Sequence, residues 1–515
     1  MKIINSLLLL ALTLAICCLS SAPAAHAASK DSLNMRLLFN ASTVSPYLHF
    51  NDSDWWWQAG VYEPLVWLND SNGNFEPMIA KEWSISDDGL TYTFKLRDDV
   101  YFHNGEKLTA DDVVFSYNLA KEAPTLRTFT KPYESVEAVD PLTVAVHLPE
   151  PYYPFLHHSS MIKIVSKKAV EEQGADFGTK VALAGTGPYH MVEYNPAVKV
   201  TVKAFDKYYR GKAPIENVNY IVMIDDSSAV IAFENGELDM IQVPSTYWKD
   251  IVDGGKFTTK IVPRHELYYM IINLNSPEND NILGNKLVRQ AIGYSIDKEA
   301  IVDVVREGLA IPYSQFMNPE ITAGGPDPTI EYGYDPEKAK ALLAEAGYPD
   351  GVDVGTFMSF APAEYVKMAQ IIQASCDEVG IRFKIEQMEV AAGLTEMRAG
   401  NVSMAFCAST FLLDYDYIGR YFHTSNTATT FVKYEQTDKI DWKKIDGLFD
   451  QGTRIKDLAE RKKAYSDAER EVMDSGTYFP IMMTSFGMAW NKDLEVDSSD
   501  WGAFFMFSPY GWAWK

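Results

Sequence analysis

The chain has few cysteines and little positive charge, and each shortage excludes a class of protein. Four cysteines occur among 515 residues, and two of them, Cys17 and Cys18, lie in an apolar run near the N-terminus. This is too few for a small domain held together by disulfides. The 46 lysine and arginine residues are outnumbered by 70 aspartate and glutamate residues, which gives a formal net charge of −24. Because so acidic a chain would repel phosphate backbones, we expect no nucleic-acid partner.

Long apolar runs are also scarce, and the clearest one stands at the N-terminus. Lys2 precedes an apolar stretch from Leu7 to Leu19, and Ala25-His26-Ala27 forms a small-x-small cleavage site. The pattern predicts a cleavable secretory signal peptide over residues 1–27, which is too short for a membrane span. Ile16 and Cys17 stand where a lipoprotein signal needs a small residue before its cysteine. We therefore expect a free periplasmic protein without a lipid anchor.

Removal of the signal peptide leaves Cys376 and Cys407. Cys376 falls in a predicted helix and Cys407 in a predicted strand of the same later region. We interpret both as buried free thiols, although an oxidising periplasm would allow a disulfide between them.

Motifs of common catalytic sites are absent from the chain. We find no GxSxG nucleophile turn, no HExxH zinc motif, no Walker loop and no CxxC beyond the signal peptide. Gly185-Thr186-Gly187 is followed at once by Pro188 and lacks the third glycine of a dinucleotide loop. The sequence therefore predicts a protein without catalytic residues, and a secreted enzyme is the distant alternative.

Metal-ligand patterns are incomplete. The stretch from Asp414 to Gly419 begins like a calcium loop, but Ile418 stands where an oxygen ligand is needed. His157 and His158 are adjacent, so their side chains diverge, and no third ligand is evident. We interpret the two histidines as surface or packing residues and predict no metal site and no cofactor.

The stretch from Tyr62 to Tyr117 has the pattern of a hairpin, a half-buried strand and a capped helix. Asn72-Gly73 is a turn dipeptide between two apolar stretches. Thr91 to Arg97 alternates between apolar and polar residues, as a half-buried strand does. Thr109, with Asp112 three residues later, predicts a helix start. The apolar residues of the strand and the helix are Tyr92, Phe94, Leu96, Val113, Tyr117 and Ala120.

From about Leu274 the pattern changes to helices that alternate with short strands. Asp297 caps one predicted helix, and Asp335-Pro336 opens another. Pro362 to Val379 has the periodicity of a further amphipathic helix, and strand Ile381 to Ile385 follows it. The alternation predicts an α/β lobe with its own sheet.

Several stretches resemble, in the expected order, the signature of the family 5 extracellular solute-binding proteins, the peptide- and nickel-type receptors of ABC importers. The resemblance covers nearly the whole chain after the signal peptide. Its elements are YEPLV from Tyr62, PMIAKEW from Pro77, DDGLTYTFKLRDDVYFHNGEKLTADDVVFS from Asp87, GTGPY from Gly185, VRQAIGYSIDKEAIV from Val288 and YDPEKAKALLAEAGYPDG from Tyr334.

The resemblance implies an α/β, two-lobed periplasmic binding protein (Venus-flytrap) fold with an extra subdomain inserted in lobe I. Strands that cross between the lobes are expected near Tyr268–Asn275 and Phe479–Trp490. The expected parts are lobe I at residues 28–74, 184–272 and 484–515, the inserted subdomain at 75–183, and lobe II at 273–483.

The resemblance also implies a ligand carboxylate. In peptide-binding relatives a strand is followed by an aromatic residue and an Asp-rich turn, and that Asp accepts the ligand's α-ammonium group. Asp414 fits this place, with Phe411 as the aromatic residue, and Asp416 is the alternative register. A cation sealed between lobes needs such a partner, because its desolvation otherwise costs several kcal/mol. The alternative is an Asp that only caps a turn or a helix.

Aromatic residues are the other predicted ligand contacts. Trp55, Trp56 and Trp57 lie in a region that faces the cleft in relatives. Three consecutive indoles cannot all point one way, so some belong to the core and at least one is expected to face the ligand. Tyr47, which follows Ser45-Pro46, is a further candidate.

One departure from the family bears on specificity. Dipeptide-selective relatives carry an arginine just before the helix at Pro362–Val379, to clamp the ligand carboxylate, and Met358 to Ala361 contains none. Because a guanidinium clamp is not interchangeable with serine, this argues against strict dipeptide specificity. Arg420 is then a candidate for another ligand contact.

The sequence thus predicts a monomeric periplasmic receptor that closes on a small solute and docks on an inner-membrane ABC permease with cytoplasmic ATPases. A peptide is the preferred solute, because Asp414 matches the α-ammonium acceptor. An oligosaccharide or other non-peptide solute is the alternative, favoured by the tryptophans and the missing arginine.

Overall fold

The computed structural model describes most of the chain after the predicted signal peptide. The described residues are 30–48, 52–69, 74–274, 282–316, 330–410, 416–425, 432, 439–498 and 508–515, without the side chains of residues 52, 263–265, 410, 417, 418 and 420. Within these stretches, no helix has both the length and the apolar character that crossing a membrane requires.

Two large hydrophobic cores divide the described chain into two lobes. The first core takes residues between Leu33 and Val262 and again between Phe486 and Trp512, and we call this part lobe I. The second core lies between Leu267 and Met482, and we call this part lobe II. The division of the chain into the residue ranges expected above stays a prediction.

Nineteen strands form in the described residues. They are β1 (Ser32–Leu37), β2 (Val66–Asn69), β3 (Asn74–Pro77), β4 (Ala80–Ile85), β5 (Thr91–Leu96), β6 (Ser135–Asp140), β7 (Thr143–His147), β8 (Tyr189–Asn195), β9 (Lys199–Ala204), β10 (Asn217–Val222), β11 (Met240–Val243), β12 (Thr258–Ile272), β13 (Ala310–Pro312), β14 (Val352–Phe360), β15 (Ile381–Met388), β16 (Met404–Thr410), β17 (Tyr478–Trp490), β18 (Leu494–Glu495) and β19 (Ala513–Trp514).

The α-helices of the described residues occur in both lobes. They are α1 (Asp52–Gln58), α2 (Ala110–Glu122), α3 (Arg127–Thr130), α4 (Phe155–Met161), α5 (Lys167–Gln173), α6 (Asp226–Glu234), α7 (Ser245–Gly254), α8 (Lys286–Tyr294), α9 (Lys298–Arg306), α10 (Pro336–Glu345), α11 (Ala363–Glu378), α12 (Val390–Ala399), α13 (Asp416–Phe422), α14 (Trp442–Arg454) and α15 (Leu458–Asp474), with short 3-10 turns at Pro124–Leu126, Gly174–Asp176 and Ile282–Gly284.

One large sheet runs through both lobes. Its strand order is β15-β14-β16-β12-β17-β11-β1-β10-β9-β8, and β13 pairs with β17 beside this path. The long antiparallel pair β12 and β17 joins the lobes, since each strand contributes residues to both cores. The crossing expected at Phe479–Trp490 matches β17. The crossing expected near Tyr268–Asn275 belongs to β12, which begins earlier, at Thr258.

The inserted subdomain is a separate four-stranded sheet of order β4-β5-β7-β6. The alternation predicted for β5 is confirmed, because Tyr92, Phe94 and Leu96 are fully buried. The predicted helix start is confirmed as well, since the Thr109 N–H donates to the Asp112 carboxylate at 3.0 Å. The hairpin pairing of β2 with β3 also forms, although its Asn72-Gly73 turn lies outside the described residues.

The glycines of the GTGPY stretch serve close packing of the backbone. A Cβ on Gly185 would lie 2.1 Å from the Val61 carbonyl oxygen, and one on Gly187 would lie 2.5 Å from the Gly60 oxygen. Strand β8 follows at Tyr189, where a dinucleotide loop would lead into a helix. The stretch is therefore a junction within lobe I.

Lobe II has the predicted helix starts. Asp297 accepts a hydrogen bond from the Ala300 N–H at 2.9 Å, and Asp335 accepts one from the Lys338 N–H at 2.9 Å. Cys376 and Cys407 are free and buried, which confirms the interpretation as thiols, and no bridge joins them. Burial raises the pKa of both thiols well above the usual value, so they are poor nucleophiles.

Candidate ligand-binding cleft

The carboxyl ends of the parallel strands of the two lobes point at each other. Met240 of β11 lies opposite Trp490 and Val243 opposite Gly487, so β11 runs toward lobe II, and its parallel neighbours β1 and β10 run the same way. Thr410, the last residue of β16, lies opposite Glu266 at the passage between the cores, so β16 and its parallel neighbour β14 run toward lobe I.

Ligands of α/β proteins bind outside the carboxyl ends of the strands, so this opposition places a cleft between the lobes. We call the residues that follow β1, β10 and β11 edge I. We call the residues that follow β14, β15 and β16, with the side chains that contact them, edge II.

Edge I is held by hydrogen bonds between α1 and the segment after β1. The Ser42 N–H donates to the Asp54 carboxylate at 2.7 Å, and the Phe39 N–H donates to the Ser53 hydroxyl at 3.0 Å. The Gln58 side chain donates to the Thr43 carbonyl at 2.9 Å. These polar groups of edge I are therefore used within lobe I.

Three large apolar side chains of edge I remain exposed. Phe39 is 49% exposed, Leu48 38% and Ile224 64%. Phe39 and Leu48 lie in the segment after β1, and Ile224 lies just after β10. Apolar side chains at the rim of a cleft are suited to contact an apolar part of a ligand.

The predicted tryptophans of α1 differ in burial. Trp57 is fully buried with its ring centroid 6.4 Å from that of Tyr194, and Trp56 is 3% exposed with its ring 6.5 Å from Phe486. Trp55 is partly exposed. Trp55 is therefore the indole with accessible surface, while the ligand roles of all three stay predictions.

Tyr47 lies within the lobe I core. It is 2% exposed, and its hydroxyl donates to the Lys163 carbonyl at 2.7 Å. Burial raises its pKa well above the usual value. A ligand contact by Tyr47 stays a prediction, and the hydroxyl already has a partner.

Edge II centres on Arg306, the last residue of α9. Its guanidinium donates to the Tyr268 hydroxyl at 2.8 Å, lies 5.2 Å from the centre of that ring, and pairs with the Glu364 carboxylate. Glu364 is the second residue of α11, which follows β14. The Tyr365 ring lies 5.6 Å from the Tyr268 ring. This group, with Glu266, is called the Arg306 cluster below.

The Arg306 cluster is partly open to solvent and has a surplus of carboxylates. The side chains of Arg306 and Glu364 are 19% and 29% exposed. Burial raises the pKa of Glu364. Arg306 lowers this pKa in part and the nearby Glu266 raises it, so the net shift is upward. Among the described residues, Nε of Arg306 has no hydrogen-bond partner.

Asp416 lies at the start of α13 and contacts lobe I. The Tyr152 hydroxyl donates to its carboxylate, and His158 Nε2 lies 3.5 Å from the same oxygen. Asp414 and Phe411 lie outside the described residues, as does the side chain of Arg420. The ligand roles of all four stay predictions.

The sequence reasoning missed the Arg306 cluster. The clamp arginine of dipeptide-selective relatives would stand just before α11, where Met358 and Ser359 of this chain are buried in β14. The structure instead brings Arg306, from the C-terminal end of α9, to Glu364 in the first turn of α11. The only sequence signal was that Tyr268 lies in the expected crossing strand and Glu364 at a predicted helix start.

A second ionisable group is sealed inside lobe I. Glu63 is 2% exposed and accepts hydrogen bonds from the hydroxyls of Tyr208 at 2.7 Å, Tyr209 at 3.2 Å and Thr186 at 2.9 Å. Burial raises its pKa to about 7 in spite of these donors. Burial likewise lowers the pKa of Lys163 to about 8.

The histidines do not gather into a metal site. His157 and His158 are each 3% exposed on α4, and burial lowers the pKa of His157 to about 3. Their interpretation as packing residues agrees with this burial. Within the described stretches, no group of three or more His, Cys, Asp or Glu side chains is placed to hold a metal ion.

Comparison with known proteins places the chain in a family. The family model of bacterial extracellular solute-binding proteins, family 5, middle region, matches residues 74–429. Heme-binding protein A of Haemophilus influenzae is 27% identical over 460 residues, covering 82% of this chain and 81% of that protein. The glutathione-binding protein GsiB of Escherichia coli strain K12 is 26% identical over 473 residues, covering 88% of this chain and 89% of that protein.

Comparison with solved structures supports the same family. The structure of HbpA2 from Haemophilus parasuis superposes with a TM-score of 0.82 and 27% identity, covering 94% of this chain and all of that chain. The expected two-lobed fold with a subdomain inserted in lobe I is therefore confirmed. The chain belongs to family 5 of the bacterial extracellular solute-binding proteins and is a solute-binding receptor of an ABC importer.

Proposed function

We propose that the chain is a periplasmic receptor for a peptide or peptide-like solute with a free α-ammonium group. The solute is captured between edge I and edge II and delivered to an inner-membrane permease. The receptor performs no chemistry on it. The signal peptide over residues 1–27 and the monomeric state belong to this proposal.

The observation that carries the proposal is the charge of edge II. Glu364 pairs with the Arg306 guanidinium, and Glu266 lies close enough to raise the Glu364 pKa, so the Arg306 cluster has two carboxyl groups and one guanidinium. A buried ammonium group needs such carboxylates to offset its desolvation. The Arg306 side chain, which is 19% exposed, can at the same time receive a carboxylate.

A short peptide presents both charges and an apolar middle, which suits the two edges. Its ammonium and carboxylate groups would lie on edge II, and its side chains would pack on Phe39, Leu48 and Ile224 of edge I. GsiB is named for glutathione, which is itself a tripeptide, and this supports the proposed class. Asp414 remains the proposed α-ammonium acceptor.

The test is a thermal-shift and calorimetric series. We expect glutathione or trialanine to stabilise the protein, by about 2.7 kcal/mol at 100 times its Kd. N-acetylated trialanine should bind at least about tenfold more weakly, since it lacks the charge that a carboxylate partner recognises. Tight binding of the acetylated form, equal to that of the free form, would overturn the role of the ammonium group.

Variants connect the result to named residues. Asp414→Ala should cost about 3–5 kcal/mol of peptide binding, as for removal of one member of a buried charge pair. Arg306→Gln should weaken trialanine more than trialanine amide, because only the first has a carboxylate. Glu337→Gln is the matched control, since Glu337 is 86% exposed on α10 and pairs only with the neighbouring Lys340 among the ion pairs of the described residues.

A non-peptide solute is the second candidate. The partly exposed Trp55 offers a stacking face for a sugar or a flat ring, and one relative is named for heme binding. Maltotriose and hemin therefore belong in the same series. Binding of either one, with no response to any peptide, would favour this candidate over the first.

A further inference from the structure

Lobe I and lobe II touch at a place that is separate from the two crossing strands. Residues 150–158, which comprise the end of the connection from β7 and the first turn of α4, lie against α13 and α14 of lobe II. The Tyr153 N–H donates to the Thr453 carbonyl at 2.9 Å, and Arg454 pairs with Glu150 at 2.7 Å. We call residues 150–158 the clasp.

The centre of the clasp is a chain of three polar side chains. The Tyr152 hydroxyl donates to the Asp416 carboxylate and lies 3.0 Å from His158 Nε2. Because the hydroxyl hydrogen goes to Asp416, the Tyr152 oxygen accepts from His158 Nε2–H. The side chains of His158 and Asp416 are 4% and 16% exposed, so the contact between the lobes is largely shielded from water.

The clasp is fixed on the lobe I side before it meets lobe II. Tyr92 of β5 donates from its hydroxyl to the Tyr152 carbonyl at 3.1 Å. The Tyr153 ring lies over Gly89, where an added Cβ would come within 2.8 Å of the tyrosine hydroxyl. The Tyr92 and Phe155 rings meet edge-to-face at 4.9 Å. The clasp is therefore part of the inserted subdomain's packing.

The receiving surface on lobe II is packed as well. The Phe422 ring of α13 stacks at 6.0 Å on Phe449 of α14, and Gly419 lets the helices approach that ring. The Thr424 N–H donates to the Asp446 carboxylate at 3.0 Å. Because α13 and α14 are joined in this way, Asp416 and Arg454 belong to one surface. Both halves of the contact are thus arranged before they meet, which lowers the entropy cost of joining them.

We propose that the clasp is a fastener that holds the two lobes closed before a solute arrives. The exposed Glu150–Arg454 pair contributes little by itself, since such surface pairs are weak. The shielded Tyr152–Asp416 contact to a charged group contributes more. In this proposal Asp416 controls the closure of the lobes, and Asp414 stays the proposed acceptor of the α-ammonium group.

The clasp would increase the fraction of unliganded molecules that are closed. A solute binds the closed form, so the apparent affinity is scaled by the fraction of molecules that can adopt that form. A clasp that favours closure raises the apparent affinity for any solute without contacting it. The inference therefore does not depend on the solute being a peptide.

The test measures lobe separation in the unliganded protein without the predicted signal peptide, so that Cys17 and Cys18 are absent. Spin labels on cysteines placed at Lys131 of lobe I and Lys463 of lobe II report their distance distribution, and both sites are exposed. Cys376 and Cys407 are buried and are not expected to react with the label. In Tyr152→Phe, the ratio of open to closed molecules should rise about tenfold, the effect of losing one hydrogen bond to a charged group.

Controls separate the clasp from general loosening. Tyr247→Phe removes a hydroxyl contact to Ser227 within lobe I and should leave the distance distribution unchanged. Arg454→Glu should open the lobes slightly, and Arg454→Glu combined with Glu150→Arg should restore closure. This swap keeps the test decisive even if Tyr152→Phe does not fold. Distance distributions that are the same in the wild type, Tyr152→Phe and Arg454→Glu would overturn the proposal.

Discussion

Edge I and edge II face each other across the same cleft but differ in chemistry. Edge I exposes apolar side chains such as Phe39 and Ile224, and its hydrogen-bonding groups are used within lobe I. Edge II carries the Arg306 cluster, whose charged groups are partly exposed. In the proposed function the two edges have different tasks, because an apolar surface gains free energy from contact area and a charged one from pairing with the ligand.

The two carboxyl groups of Glu63 and Glu364 show the difference between a structural group inside lobe I and a group at the cleft. Burial raises the pKa of both. Glu63 is sealed by three hydroxyl donors inside lobe I, whereas Glu364 pairs with a guanidinium at the cleft. A raised pKa therefore does not by itself identify a ligand contact, and the surroundings of the group decide its role.

The largest expected effect tests whether the tryptophans of edge I belong to the scaffold. Trp57→Ala should lower the free energy of unfolding by about 3–5 kcal/mol, because it empties a fully buried ring site. Trp55→Ala should cost about 1 kcal/mol or less, since that ring is partly exposed. Urea unfolding of the two variants measures both values. Equal losses would contradict the assignment of Trp57 to the core and Trp55 to the surface.

A smaller effect tests whether the buried Glu63 is a structural group of lobe I. Burial raises the Glu63 pKa from 4.5 to about 7, so its stabilising contribution is present below pH 4.5 and is lost as the pH rises through 7. Between pH 4.5 and pH 8, the free energy of unfolding of the wild type should fall by about 3 kcal/mol more than that of Glu63→Gln. Urea unfolding across that range measures the change. Glu337→Gln, at an exposed site, should leave the pH dependence intact, and an unaltered pH profile in Glu63→Gln would refute the assignment.

The smallest effect concerns the apolar surface of edge I. Phe39→Ser should leave stability within about 0.5 kcal/mol of the wild type, because the ring is 49% exposed. It should weaken solute binding by about 1 kcal/mol, through loss of apolar contact area. Calorimetry with trialanine or glutathione measures the change. Val139→Ser, at a site 58% exposed on β6, is the control. Equal affinities in both variants would show that Phe39 does not contact the solute.

Local features of the fold could be predicted because their signals act over a few residues. Alternating Tyr92, Phe94 and Leu96 identified β5, and Asp297 and Asp335 identified helix starts. Resemblance to the family supplied the two lobes and the approximate position of β17. The stretch Tyr268–Asn275 indicated only the lobe II part of β12, since the first residues of this strand lie in lobe I, before the apolar run that indicated the crossing.

The candidate site could be predicted only in part. The sequence by itself determined an acidic chain with a strand-rich part, an α/β part and an aromatic segment at Trp55–Trp57, because composition and periodicity depend on neighbours along the chain. The receptor role came from resemblance to the family. The tertiary structure decided that Arg306 meets Glu364 and that Tyr152 meets Asp416, contacts that span 58 and 264 positions of the chain. Such pairs depend on the order of strands in the sheet and the closure of the lobes, which no local pattern records.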